Sequence, residues 1–298
     1  MLANLLPLRT LKEAAYYRKF MRNTTEHLFF GSYGSFDAAA LAMPSSKPSC
    51  FDNAEQARKN YSPQIFFYDY PCLFWLGRSF REGLRSVFDL GGHTGIKFHA
   101  FRRMLDYPKN LTWTVCDVPG VVQAGREIAA ERGAGSQLSF TTHFEEASGC
   151  DILYIGGTLQ FLPQTLAGII DALPIKPKRI ILNTTPVHAQ HSIYTISSLG
   201  FAFSPYRIEH YDNLIAQLIA AGYRRRDVWK NTGKPIEVPF VKGGDSIYYA
   251  GCCFDLVGGI DRLENGSGTP HADTAACRAS PAAHPIKLSQ SPAQVHNA

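Results

Sequence analysis

Between residues 83 and 259 the chain alternates short apolar runs with longer amphipathic ones. The runs SVFDL (86–90), LTWTVCD (111–117), LSFTTHF (138–144), DILYIG (151–156) and RIILNT (179–184) have strand length and strand composition. Helical stretches separate them: KFHAFRRML after a cluster of glycines, VVQAGREIAAER after Pro119 and TLAGIIDAL after Pro163. A loop follows, then a helix over YDNLIAQLIAAGY (211–223) and two more strands, RRDVW and SIYYAGCCFDL. Strands separated by helices of this length predict an α/β fold, a doubly wound seven-strand sheet with right-handed crossovers. The last two strands have no helix between them, which predicts an antiparallel hairpin at one edge. Cys252 and Cys253 are neighbours on that hairpin and should face opposite sides of the sheet.

The flanks have a different texture. Residues 1–80 are mostly helical in pattern and form an N-terminal cap, with Thr10 and Glu13 at capping-box spacing. Its aromatic stretch IFFYDYPCLFW (65–75) reads as packing against the main domain; a lid touching substrate through Tyr68 or Tyr70 is the second reading. The main domain spans 81–259. Beyond it, residues 260–298 are dominated by Ala, Ser, Pro and Gly, which cannot bury enough apolar surface to offset ordering entropy, so a disordered tail is expected.

Composition narrows the class. The 298 residues are 45% hydrophobic and 18% charged, as in ordinary globular proteins. No run reaches the roughly 18 apolar residues of a membrane span. The first apolar run is cut by Pro7 and Arg9 and its positive charges follow it, unlike a signal peptide. Seven cysteines without a CxxC pair predict reduced thiols in a cytoplasmic protein and no metal site. A net charge of +5 is spread along the chain. With no basic stripe and no Asn-Pro-Pro-aromatic motif, it argues against a nucleic-acid substrate.

Candidate chemistry concentrates in VFDLGGHTG (87–95). A Walker loop needs GxxxxGK and then a hydroxyl, but Lys97 is not adjacent to Gly95 and Phe98 stands where the hydroxyl would be. A dinucleotide GxGxxG fails because His93 holds the second glycine position. Asp89, just before the turn, would repel a pyrophosphate and attract an ammonium group. S-adenosylmethionine carries that ammonium and no phosphate. Asp117, ending the next strand, is placed to take both ribose hydroxyls.

With these residues in view, VFDLGGHTG followed by WTVCDVPGVV resembles the first two motifs of class I S-adenosylmethionine-dependent methyltransferases. DILYIGGTLQFLP is similar to their fourth-strand motif, and RIILNTTP, SPYRIEHYDNL and AGY extend the likeness over roughly residues 60–257. The closest resemblance is to a bacterial methyltransferase family associated with surface-polysaccharide biosynthesis. It implies S-adenosylmethionine as cofactor. Asp89, Gly91, Gly92 and Gly95 would meet its methionine end and Asp117 its ribose. His143 and Phe144 would flank adenine, and Gly156, Gly157 and Thr158 would close the floor. Gln160, just past the fourth strand, is placed either to reach the cofactor or the acceptor or to cap the helix beginning at Pro163. His93 and His143 depart from the family pattern, the first adding a side chain where the cofactor meets backbone.

Catalytic candidates lie in loops after the strands, where open α/β sheets place ligands. They are His188, His191 and His210, with Glu209 beside the last. The reading is methyl transfer, most simply to a hydroxyl of a small molecule or of a sugar in a surface glycan. The alternatives are a non-catalytic partner protein of the same fold and an NAD-dependent reductase or epimerase.

Overall fold

In the computed structural model, residues 5–49 and 51–260 are described. The N-terminal region contains α1 (Leu5–Arg22), β1 (Leu28–Tyr33), α2 (Phe36–Leu41), α3 (Ala54–Lys59) and α4 (Tyr70–Arg81). The main domain follows as β2 (Ser86–Leu90), α5 (Ile96–Phe101), β3 (Thr112–Cys116), α6 (Pro119–Glu131), β4 (Leu138–Thr141), β5 (Ile152–Gly156), α7 (Leu166–Asp171) and β6 (Arg179–His188). It closes with β7 (Ile193–Ser198), β8 (Phe203–His210), α8 (Tyr211–Ala220), β9 (Tyr223–Asn231) and β10 (Tyr248–Leu256).

The seven predicted strands form one sheet in the order β4-β3-β2-β5-β6-β10-β9. All are parallel except β10, which runs antiparallel to both of its neighbours. This is the Rossmann-like strand order of the class I methyltransferase fold. Alternation along each strand divides the core. On one face Phe88, Leu153 and Leu182 meet Ile169 of α7 and Leu214 of α8. On the other, Val87, Ile152 and Ile181 meet Leu76 of α4, Phe98 of α5 and Val122 of α6. Cys252 and Cys253 enter opposite core layers, as predicted from their adjacency.

Several expectations are corrected. Helix α1 begins at Leu5, so Thr10 and Glu13 lie inside it and are not its capping box. Pro7 sits in its first turn, where the missing N–H has no intrahelical partner to lose. The N-terminal region is not wholly helical, because β1 pairs antiparallel with β7. The segment between β6 and α8, expected to be a loop, is the β7–β8 hairpin. Short runs interrupted by Ser, Gly and Pro carry little strand signal of their own; pairing with β1 and β6 supplies it. In α4, Cys72, Leu73, Trp75 and Leu76 are buried while Tyr70 and Phe74 face solvent, which favours the packing reading of the aromatic stretch. Ile260, assigned by sequence to the tail, is buried in the core. The rest of the predicted tail lies outside the described residues.

Strand β6 changes partner along its length. Arg179 to Asn183 pair with β5, whereas Val187 and His188 pair with β8. Between these ladders the register to β10 slips, from Cys252↔Leu182 to Ala250↔Thr185. Thr184 takes a left-handed conformation there, φ 53°, as the extra residue of a bulge. Past Asn183 β6 no longer pairs with β5, and Gly157, just beyond the tip of β5, lines a cavity.

A cavity at the strand tips

The turn after β2 is built from three left-handed residues, Gly91 (φ 69°), His93 (φ 56°) and Gly95 (φ 75°). Gly91 N–H donates to Cys116 O at 2.7 Å, tying the turn to β3, and Gly95 N–H donates to Gly92 O at 3.1 Å. A Cβ at Gly91 would come within 2.1 Å of Thr158 Oγ1, and one at Gly92 within 2.4 Å of the Asp89 carboxyl carbon. The turn therefore lies pressed between Thr158 and Asp89, and only glycine fits at either point. His93 adopts the same backbone region with a side chain, as histidine does more readily than most residues.

Over this turn opens a cavity of about 270 Å³. Gly91, His93, Asp117, Gly157 and Thr158 form its floor, and Val118 and Val121 of the β3–α6 segment one side. Helix α3 contributes Gln56 and Ala57, its C-cap Asn60 follows, and an aromatic wall comes from Phe51, Phe161 and Phe201. Phe51 packs edge-on against the other two at 5.3 and 5.8 Å. Arg58 holds α3 to α6 through Glu127 and Glu131, at 3.1 and 2.8 Å.

The electrostatics of the floor are unusual. Asp117 accepts N–H bonds from His93 at 2.9 Å and Val118 at 2.8 Å, which leaves lone pairs on both oxygens for a ligand. Burial raises its pKa to about 6 against the opposing effect of those bonds. Burial lowers that of His93 to about 4, so its ring is neutral near pH 7, with Nδ1 beside Thr94 Oγ1 at 3.1 Å. Among the described residues, Asp117 is the only acid on the lining, and no lysine or arginine is there.

The structure brings some predicted residues together and separates others. Asp117, Gly91, Gly157 and Thr158 line the cavity; Gly92, Gly95 and Asp89 shape the turn beneath it. Asp89 is 1% exposed, accepts from Trp113 Nε1 at 3.1 Å and has its other oxygen unpartnered. Burial raises its pKa to about 7, the Trp113 bond opposing. Asp89 does not line the cavity in this structure; its carboxyl lies beneath Gly92 of the turn. Gly156 ends β5 beside the Tyr154 ring. Gln160 is buried and donates to Gly157 O at 2.7 Å, fixing the floor from behind. Phe144 is core, set against Phe88, and His143 is exposed; neither lines the cavity.

His188, His191 and His210 gather with one another instead. His188 is buried at the upper end of β6, its Nδ1 accepting from the N–H groups of Gln190 and His191. Its ring lies 4.3 Å from that of His191, and His210 Nε2 is 3.2 Å from Ala189 O. None of the three lines the cavity. Sequence reasoning missed Phe51, Phe161 and Phe201, which come from three separate loops and share no spacing. The Pro-Gly after Asp117 was the one local signal for Val118 and Val121, since it opens a helix there.

No protein-family model matches the sequence, and no curated protein matches it. Solved structures do. An N1-methyltransferase for 1,6-didemethyltoxoflavin from Burkholderia thailandensis, bound to its substrate and S-adenosylhomocysteine, shares 16% identity. The match covers 68% of this chain and 83% of that one, with a TM-score of 0.44. Magnesium protoporphyrin IX methyltransferase from Synechocystis, with S-adenosylmethionine bound, matches at 13% identity over 69% and 93% of the two chains, with a TM-score of 0.44. An S-adenosylmethionine-dependent methyltransferase from Clostridium acetobutylicum matches at 9% identity over 68% and 97%, with a TM-score of 0.42. At such scores the fold class rests on the strand order of the chain itself.

Proposed function

We propose that the cavity binds S-adenosylmethionine and that the chain is a methyltransferase acting on a small molecule. One observation carries this reading: the cavity joins a carboxylate at the tip of β3 to a lining that, among the described residues, has no lysine or arginine. A pyrophosphate there would meet Asp117 with no lysine or arginine to neutralise it, whereas a cationic adenosine derivative meets only attraction. Asp117 would hold the ribose hydroxyls, Val118 and Val121 would pack on the base, and the Gly91–His93 and Gly157–Thr158 backbones would flank the methionine end. The cofactor would supply a methyl group already activated on sulfur. The protein's task is then to orient the acceptor and keep water out, which Phe51, Phe161 and Phe201 are placed to do.

That aromatic wall favours an acceptor with an apolar face. Among the described lining residues the titratable groups are Asp117, a weakly basic His93 and Cys116, whose thiol pKa is pushed up by burial. The arrangement therefore suits an amine or an acidic hydroxyl, which needs no strong base. A glycan sugar hydroxyl is the finer reading carried by sequence resemblance alone. His93, whose ring occupies part of the cavity, supports the second reading, a partner protein of the same fold that has lost cofactor binding.

Calorimetric titration with S-adenosylmethionine, S-adenosylhomocysteine and NAD separates these readings. Micromolar binding of the first two and none of NAD is expected. NAD binding alone would overturn the proposal, and failure of all three would favour the partner protein.

A further inference from the structure

A second and larger cavity, about 600 Å³, opens between α1, β1 and the segment that joins β9 to β10. Tyr16, His27, Phe29 and Lys234 line it, with Glu237 and Asp245 on its rim. It is separate from the first. The fully buried Tyr206 stands between them, its ring 5.0 Å from Phe161 of the first cavity and 4.9 Å from Phe29 of the second.

Lys234 is the feature that demands a partner. Its ammonium lies 4.5 Å from the Tyr249 ring centre and 5.8 Å from that of Tyr68, half-buried against both. Among the described residues it makes no ion pair and no hydrogen bond to protein, so three strong donors go unused. The carboxylate that acts on it, Asp69, is already engaged. Asp69 is 1% exposed, with Lys97 at 2.6 Å and the Phe66 N–H at 2.9 Å. Two lysines thus share one buried acid, and Lys234 lines the cavity with no carboxylate of its own within ion-pair distance. Glu237 and Asp245 are exposed and solvated, and neither perturbs Lys234. Across the cavity His27 holds Ser197 Oγ at 2.9 Å through Nε2. Burial, and then the Lys234 charge, lower its pKa to about 4, which keeps the ring neutral.

We propose that this second cavity binds the carboxylate or phosphate group of a small molecule, with Lys234 as its counter-ion and the His27 ring beside it. An anion seated against Lys234, inside the exposed rim of Glu237 and Asp245, satisfies the unused ammonium donors, a charge-assisted contact in a partly desolvated setting. The aromatic rings that hold the ammonium fix its direction, so the site is preorganised.

The test uses the full chain with inorganic phosphate and citrate as probes, titrated by calorimetry at constant ionic strength against a chloride blank. Submillimolar binding of at least one probe is expected, weakened tenfold or more in Lys234→Met and restored within about threefold in Lys234→Arg. Phosphate binding alone would identify a phosphate-bearing ligand, citrate binding alone a carboxylate. In the unmutated protein, the His27 ring resonances should move with the bound probe and its pKa should rise, because the anion offsets Lys234. That measurement stands even if a variant misfolds. Neither probe outbinding chloride, equal binding by Lys234→Met, or unmoved His27 signals during binding would each overturn the site. None of these outcomes depends on whether the first cavity binds S-adenosylmethionine.

Discussion

Asp89 and Asp117 are both carboxylates at strand tips, yet their surroundings assign them different work. Asp117 keeps accepting capacity toward the cavity, so Asp117→Ala should weaken S-adenosylmethionine binding by about 1.5–3 kcal/mol, the worth of hydrogen bonds to a charged group. An unchanged dissociation constant in a folded variant would remove it from the site. Asp89 is enclosed, and burial raises its pKa to about 7, far above the unfolded value near 4. The folded state then binds the extra proton between these values. Its stabilising contribution is complete below about pH 4 and is lost as pH rises through about 7. Urea unfolding should therefore show stability falling by about 1–3 kcal/mol from pH 5 to pH 8, with a shallower slope in Asp89→Asn. An equal slope in that variant would show that the proton is bound elsewhere. His93→Gly sets two effects against each other: relief of a left-handed side chain, and greater freedom of the unfolded chain. They are of similar size, so stability should stay within about 0.5 kcal/mol while the cavity enlarges. A tighter S-adenosylmethionine complex in this variant would show that the imidazole obstructs the cofactor.

At the scale of elements, the foot of β6 is held by a buried charge cluster. Arg179 is fully buried and bridges both oxygens of Asp255 on β10, at 2.6 and 3.0 Å. It also meets Ser79 Oγ and Glu82 at 2.8 Å each, joining α4 to the sheet. Arg226 of β9 reaches the same Asp255 at 2.8 Å, so part of the 224–226 arginine run is structural, while Arg225 is exposed at the sheet edge. Charged side chains on an edge strand discourage pairing with another chain. Arg179→Met would strand Asp255 and should cost about 3–5 kcal/mol in urea unfolding, the usual penalty for breaking a buried pair. A loss below about 1 kcal/mol would mean that Arg226 alone satisfies Asp255.

For the whole molecule, the C-terminal boundary falls at Ile260, whose side chain is 4% exposed in the core between α4 and the sheet. A chain ending at Ile260 should keep the melting temperature and the cofactor affinity of the full protein, because the remaining residues are poor in large apolar side chains. Ending one residue earlier should cost about 1–3 kcal/mol through the lost burial. Equal melting temperatures for the two truncations would show that Ile260 contributes nothing to the core.

The doubly wound sheet was legible from the sequence because apolar periodicity and turn residues act locally. SVFDL and DILYIG bury nearly every side chain, LTWTVCD buries its apolar ones, and the helices between them carry a clear apolar stripe. The glycine turn and Asp117 were legible for the same reason: tight turns and strand ends impose local chemical demands. What lay outside the sequence pattern was set by contacts between distant segments. Strand β1 and the β7–β8 hairpin exist by pairing, the aromatic wall assembles from residues 51, 161 and 201, and the β6–β8 pairing gathers the three histidines with one another rather than on the cavity. Lys234 offered no signal at all, since its lack of a counter-ion is a property of the packed Lys97–Asp69 pair beside it. Local propensity encodes which elements form, whereas long-range packing decides which side chains share a site and which charges remain unpaired.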